Sequence, residues 1–247
     1  MIRETIRRVL PLAVRKPYVE WKTRKAEASG LLFCPACQAN VRRFLPHGNP
    51  ARADEVCPIC QSKSCHRLSW AYFAQHPALF INDGVFLHIA PERQLRKWLK
   101  NRCRLSGMHY RHGDIKDMHH PLDIKQTGLT ARSVDVLFAC HVLNMVDNDR
   151  LAMAEIKRIV KPGGVAVIPV PVSEVFSEVS PGSAVGDRLA RFNDGLMFRA
   201  YTTREYAHRL KEAGMSLQEF NSFDVQDASK PRWMLLDDTV HIARPLQ

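Results

Sequence analysis

Residues 133–172, SVDVLFACHVLNMVDNDRLAMAEIKRIVKPGGVAVIPVPV, constrain the fold more than any other stretch. Val134–Ala139 is a short apolar run after a polar turn, which predicts a buried strand. In 147–160, Leu151, Ala154, Ile156, Ile159 and Val160 fall on one helical face, with Asp147 or Asp149 as the expected N-cap. Pro162-Gly163-Gly164 should stop that helix, and 165–170 is a second apolar run. Strand, helix, glycine turn and strand make a βαβ crossover, because parallel neighbours need a long return connection. Ligands of open parallel sheets bind beyond the carboxyl ends of the strands. Here those ends are Cys140-His141 and Val170-Pro171.

The flanking sequence supplies more of such a sheet. Residues 85–90 predict a first strand, followed by Ala90-Pro91-Glu92 and a helix over 93–100. Residues 108–111 predict a second strand leading to Asp114, and a third segment ends at Leu122-Asp123-Ile124. Thr202-Thr203-Arg204-Glu205 is a capping box, opening a helix to Ala213 that Gly214 closes. Residues 216–220 and 239–243 predict the last strands, antiparallel at an edge. The connection over 173–195 is long and irregular, as loops that cover sites often are. No internal repeat is evident.

The front of the chain differs in kind. Cys34-Pro-Ala-Cys37 and Cys57-Pro-Ile-Cys60 are separated by 19 residues. Two CxxC knuckles at this spacing bring four thiolates to one Zn2+, a closed structural site that leaves no position for water. Paired redox cysteines are the alternative. Cys65 and His66 lie just beyond and could substitute for a ligand or merely pack. Residues 1–80 hold 13 Lys/Arg against 5 Asp/Glu, while 81–247 hold 23 against 20. The basic front therefore predicts a local anionic contact through residues 1–67, with an anionic membrane surface or nucleic acid, or else a solvated arm. Within 1–30, Ile2, Ile6, Val9, Leu10, Ala13 and Val14 share a helical face that would lie on a membrane or pack on the protein itself. No apolar run reaches membrane-spanning length, and arginines interrupt any signal-peptide centre. The expected location is cytoplasmic, peripheral at the inner face of the membrane in one reading. The expected divisions are a basic arm (1–30), a zinc ribbon (31–67), an aromatic-rich linker helix (68–81) and the main α/β domain (82–247).

Five pieces in this order carry a resemblance: CPAC…CPIC followed by Cys65-His66-Arg67-Leu68, LHIAPE at 87–92, SVDVLFACHVL at 133–143, DNDRLAMAEIKRIVKPGG at 147–164, and VPV at 170–172. Together they resemble class I S-adenosylmethionine-dependent methyltransferases. They are most similar to a bacterial group with an N-terminal zinc ribbon, often linked to polysaccharide biosynthesis. The resemblance covers roughly 31–220. It implies a Rossmann-like sheet, mostly parallel with an antiparallel edge strand, and S-adenosylmethionine as cofactor. It also implies cofactor contacts from His88, Ala90, Pro91 and Glu92 after the first strand and from Asp114 to the ribose hydroxyls. Asp123 and Ile124 would hold the adenine, and Cys140 would border the methyl group. For Asp114, the residue type alone equally fits a turn cap. Where relatives read His-Val-Leu-Glu-His, this chain has His141-Val142-Leu143-Asn144-Met145, and Met197 stands for a histidine upstream of a matching Arg199-x-Tyr201.

Methyl transfer to a sugar hydroxyl needs an aligned acceptor and a proton acceptor. His141 is the expected base, with His119 and His120 as second choices. The implied acceptor is a glycan or glycolipid. An RNA methyltransferase gripping phosphates through the ribbon and arm is the rival enzyme, although no Asn/Asp-Pro-Pro-aromatic motif follows Ala139. A methyltransferase fold that has lost turnover and serves as a scaffold is the rival from another class.

Overall fold

The computed structural model describes residues 32–48, 50–227 and 230–246. The expected arm over 1–30 lies outside them. The described residues form two compact units, those up to Ala71 with those of 221–238, and those of 72–220 with those from Thr239 on.

The first unit is built from two small antiparallel hairpins, β1 (Leu32–Cys34) with β2 (Ala39–Val41) and β3 (Leu45–His47) with β4 (Arg52–Val56). A helix, α1 (Ser64–Gln75), follows, and its last residues from Tyr72 belong to the second unit. So few apolar side chains cannot make a large core; Cys34, Cys57 and Cys60 sit inside the small one with Leu32, Val41, Phe44 and Met234, and Cys37 packs against it. Arg67 ties the unit together. It is wholly buried, and all five of its N–H groups donate to backbone carbonyls, of Asp54, Glu55, Ser62, Trp233 and Met234, at 2.7–3.2 Å. Its guanidinium also lies 4.0 Å from the Phe44 ring centroid. A buried charge is tolerable only with its donors satisfied, and the planar fork provides that here.

The second unit holds a six-stranded sheet. In chain order its elements are β5 (Val85–Ile89), α2 (Arg93–Ser106), β6 (His109–Gly113), β7 (Val134–Ala139), α3 (Asp149–Ile159) and β8 (Val160–Val167). Then come β9 (Ser177–Glu178), α4 (Val185–Phe192), β10 (Arg199–Ala200), α5 (Thr203–Glu212), β11 (Met215–Asn221) and β12 (Thr239–Pro245). The sheet order is β11-β12-β8-β7-β5-β6, with β6, β5, β7 and β8 parallel and β12 antiparallel to β8. Of the two last strands expected at an edge, β11 takes the edge, and β12, antiparallel to β8, lies inside the sheet. Its VHIA run is buried throughout, as an interior strand requires.

Burial on both faces explains the near-continuous apolar strands. Leu87, Ile89, Leu137 and Ala139 join the core under α3 and α5. On the other face Phe73 packs edge-on against Phe138, their ring centroids 5.2 Å apart, and Phe86 stacks between Phe80 and Tyr110. Phe73 and Phe80 are therefore core residues.

Several local expectations need correction. The N-cap of α3 is Asn148, whose side chain accepts from the Leu151 amide at 3.1 Å. That helix ends at Ile159, within one residue of the expected 160, since a residue before proline is driven out of the helical region. Strand β8 begins at once, and residues 161–164 bulge between the Val134–Val160 and Val136–Val165 pairs. The predicted helix over 93–100 runs on to Ser106, where Gly107 closes it with φ +74°. No strand forms at 122–124; only short backbone pairings join Asp114 to Pro121 and Asp123 to Gln126. The connection over 173–195 contains β9 and α4, so it is less irregular than its sequence suggested.

Candidate functional site

The knuckles form one cluster. The four Sγ atoms of Cys34, Cys37, Cys57 and Cys60 lie within 4.8 Å of one another. Cys34 and Cys60 are 3.7 Å apart, and Cys37 and Cys57 are 3.9 Å apart. A tetrahedron with metal–sulfur bonds of about 2.3 Å has edges of about 3.8 Å, so the spacing fits a tetrahedral thiolate site. Without a cation the group is crowded: contact with Cys60 and then burial push the Cys34 thiol up to about 12, and burial followed by the Cys34 charge does the same to Cys37. A bound cation would reverse that balance. The set closes without Cys65, which is buried, or His66, whose Nδ1 accepts from the Lys63 amide at 3.2 Å.

The two knuckles share more than their cysteines. Each knuckle reads Cys-Pro-x-Cys-Gln, and both glutamines, Gln38 and Gln61, have positive φ (59° and 63°). Each donates its side-chain amide back to the knuckle proline carbonyl, at 2.6 Å for Pro35 and 3.3 Å for Pro58. The two halves are structurally equivalent down to the residue that turns the chain away. Ser62 completes the surroundings, 3.3 Å from Cys34 and 3.1 Å from Cys60.

In the second unit, the residues implied by the resemblance gather beyond the carboxyl ends of the adjacent strands β6, β5 and β7. After β5, Ala90 has φ +49°, a conformation that usually belongs to glycine. It donates to the Gly113 carbonyl at 2.8 Å, locking the ends of β5 and β6 together. Gly113 has no room for a side chain: a Cβ there would stand 2.5 Å from that of Leu122. Pro91 and Glu92 follow, with Glu92 partly exposed and gripped by His88.

His88 itself is completely enclosed. One ring nitrogen meets the Tyr110 hydroxyl at 2.8 Å and the other meets Glu92 Oε2 at 3.1 Å. Its part is to hold Glu92 in place rather than to touch a ligand.

After β6, Asp114 Oδ1 accepts from the Lys116 amide at 2.8 Å. The turn-capping role is therefore real, and it leaves Oδ2 without a protein partner among the described residues. Asp123 likewise takes the Lys125 amide, while Ile124 is sunk in the core at 3% exposure. Lys125 reaches across to Asp147 at 2.7 Å, fixing this loop against the segment after β7.

After β7, Cys140 is buried and His141 half-buried. His141 has φ +55°, an uncommon state for a non-glycine residue and one that accumulates at functional turns. Its amide donates to the Pro169 carbonyl at 2.8 Å. His241 on β12 attaches at the same point: its Nδ1 accepts from the Val170 amide at 3.3 Å. Burial, and then the neighbouring His141, lower His241 to about 3, so it stays neutral. Its Nε2 has no hydrogen-bond partner among the described residues.

The matching Arg199-x-Tyr201 has a role that spacing could not show. Arg199 is 1% exposed and donates to the carbonyls of Leu143 (2.7 Å), Val146 (2.6 Å) and Asp147 (2.8 Å). Pairing of β9 with β10 sets Glu178 beside it, at 2.9 Å from its Nε. Tyr201 donates to Asp149 at 2.6 Å, and Arg209 bridges Asp149 and Glu178. The hydrogen bond from Arg209, reinforced by Arg199, holds the Glu178 carboxyl down to about 2. This buried network clamps residues 143–147, the segment directly after His141. Asn144 belongs to the clamped segment too: it is buried, and its carbonyl accepts from the amides of Phe198 and Arg199.

Residues 86–168, which contain most of this arrangement, match the family model of the methyltransferase domain. No curated protein sequence matches the chain. Among solved structures, the 1,6-didemethyltoxoflavin N1-methyltransferase of Burkholderia thailandensis, with 1,6-didemethyltoxoflavin and S-adenosylhomocysteine bound, aligns at a TM-score of 0.51. Its identity is 16% over 73% of this chain and 78% of that one. The CurJ carbon methyltransferase aligns at 0.47 with 16% identity, over 67% of this chain and 49% of that one, so the chain spans about half its length. A Haemonchus contortus phosphoethanolamine N-methyltransferase aligns at 0.44 with 11% identity, over 72% and 56%. The Burkholderia likeness shows the fold; a fold by itself does not name an acceptor. The domain match supports an S-adenosylmethionine-dependent methyltransferase.

Proposed function

We propose that this chain transfers a methyl group from S-adenosylmethionine to a hydroxyl of a glycan or glycolipid precursor, and that its front unit binds one structural Zn2+. The observation that carries the cofactor reading is the set of acidic and strained residues beyond three adjacent parallel strands, within the span that matches a methyltransferase domain. The residues present suit the group. Glu92 and Asp114 are hydrogen-bond acceptors for a ribose diol, and Asp123 is one for an amino group. The absence of a side chain at Gly113 lets residues 120–122, which lead to Asp123, pack directly on the end of β6. Ile124 is too deeply buried to offer more than an edge.

The cofactor supplies an activated methyl on a good leaving group, so little covalent chemistry falls to the protein. The work left to the chain is orientation and proton removal. The Arg199 clamp fixes the 143–147 segment, and the left-handed turn with the bond to Pro169 fixes the His141 backbone. The His141 imidazole then takes the acceptor hydroxyl's proton as the methyl is transferred. The glycan or glycolipid acceptor is supported by the resemblance of the five motifs. The closed four-cysteine set supports a structural metal, with no open position for catalysis.

Calorimetry with S-adenosylmethionine tests the cofactor. Binding that Asp114→Ala weakens at least about tenfold is expected, a loss of ~1.4 kcal/mol; no binding at millimolar cofactor would leave a scaffold. Methyl incorporation into lipid-linked or nucleotide-linked sugars, lost in His141→Gln with cofactor affinity kept, would support the acceptor. Incorporation into RNA and not into sugars would overturn it. Metal analysis should find one zinc per chain, and none in Cys34→Ser.

A further inference from the structure

We propose that α2, the edge strand β6 and the loop after it form a docking face for an anionic lipid bilayer. The positive charge of the second unit is concentrated there. Residues 93–116 carry eight Lys/Arg against one Asp/Glu, whereas the rest of that unit holds 13 Lys/Arg against 15 Asp/Glu. Helix α2 contains no acidic residue. It buries Leu95, Leu99 and Cys103, and Arg93, Lys97, Lys100 and Arg104 recur on the opposite face, all exposed. At 1.5 Å per residue, that stripe of cations runs about 16 Å.

An ordinary solvated helix face carries acids three or four residues from its bases, which pair with them. None of these four cations meets a carboxylate among the described residues; Arg104 donates to Asn101 instead, at 3.1 Å. Helix α2 packs against β6, the last strand of the sheet, whose exposed His109 and Arg111 extend the same charge. Arg96 and His120 both bear on His112, so the front of the helix and the loop after β6 share one neighbourhood.

Cations alone would suit any polyanion. The apolar tips beside them decide between partners. Leu105 is 63% exposed, Ile115 66% and Met118 94%. Ile115 and Met118 project from a firmly held turn, because Asp114 takes the Lys116 amide and Asp117 takes the amides of His119 and His120. Nucleic acid would reward exposed aromatic rings for stacking. The only large aromatic exposed among the described residues is Phe223, in the other unit. A bilayer surface uses both features: lipid phosphates meet the cations, and the acyl boundary accepts the aliphatic tips. The inference does not rest on methyl transfer, since its readout is partitioning and not turnover.

The test sediments the full chain with vesicles of phosphatidylcholine alone or mixed equally with phosphatidylglycerol. The chain should partition onto the mixed vesicles, less so as salt rises, and not onto the neutral ones. The triple variant Lys97→Glu, Lys100→Glu, Arg104→Glu should reduce partitioning at least about tenfold, since each basic residue near an anionic surface contributes severalfold. Met118→Ser should reduce it about threefold or more. Both variants should keep the wild-type circular dichroism and cofactor affinity, which separates lost docking from lost folding. Undiminished partitioning of the triple variant would overturn the proposal by placing any binding elsewhere in the chain. Equal binding to neutral vesicles would overturn it as well. So would binding to an RNA oligonucleotide that depends on the same three residues, with vesicles ignored.

Discussion

Replacing Arg199 with Met removes the clamp after His141 while nearly conserving volume. Three carbonyls, of Leu143, Val146 and Asp147, lose a charged donor in a setting that is 1% exposed. Each such loss costs ~1–3 kcal/mol when no water can replace the donor. Two effects work the other way. Methionine escapes the desolvation penalty of a buried guanidinium, and Arg209 still faces Asp149 and Glu178, so neither carboxylate is stranded. The net expectation is a loss of about 3–5 kcal/mol, within the range for breaking a buried pair and a large part of a typical stability of about 5–15 kcal/mol. Urea unfolding should show a lower midpoint with an unchanged slope. Hydrogen exchange should rise first at the amides of 143–147. Arg199→Lys should recover less than half, because one ammonium cannot span three carbonyls and a carboxylate. A loss below about 1 kcal/mol, with unaltered exchange at 143–147, would refute the reasoning.

Acid sensitivity should follow His241, whose folded value is lowered to about 3. Its neutral form belongs to the fold, so its contribution is complete above the ordinary value of about 6.5 and fades as pH falls toward 3, at up to ~1.4 kcal/mol per pH unit. His241→Gln should flatten that slope in urea titrations run across pH. Glu155, held near 2 first by Arg158 and then by Thr127, adds a second decline that starts below about 4.3. Arg67→Lys should loosen the first unit, since three donors at one point cannot replace five aimed at five carbonyls; limited proteolysis should then cut within 32–67 or 221–238 under conditions that spare the wild type. Gly164→Ala would set a Cβ 2.9 Å from the Asp135 carbonyl oxygen and should cost ~1–3 kcal/mol, while Gly182→Ala, with open space around it, should leave the melting temperature unmoved.

Parts of this molecule could be read locally because their signals are local. The strands 85–89 and 134–139 are short apolar runs that need both faces covered, which by itself implies a parallel interior. The helix begun at Thr202 is capped by that residue's own side chain, 3.1 Å from the Glu205 amide. The knuckles are read from spacing, since the sulfurs of cysteines with two residues between them in a tight turn reach one centre. Their CPxCQ repeat was equally visible, though its meaning, a left-handed glutamine bonded back to the proline carbonyl, is a matter of backbone geometry.

Other features depend on residues far apart in the chain. Arg199 and Tyr201 stand in the sequence only as a match to a family pattern, because their partners are carbonyls and carboxylates more than 20 residues away, which no window of sequence contains. Arg67 is a basic residue in a basic segment until residues 233–234 return to meet it. The place of β12 inside the sheet and the enclosure of His88 likewise depend on which strands become neighbours. Burial periodicity, caps and metal-ligand spacing are set by residues within a turn or two of each other, so the chain alone declares them. Partner choice in buried polar networks is set by long-range packing, where one carbonyl or carboxylate is as good a partner as another until the fold brings a particular one within reach.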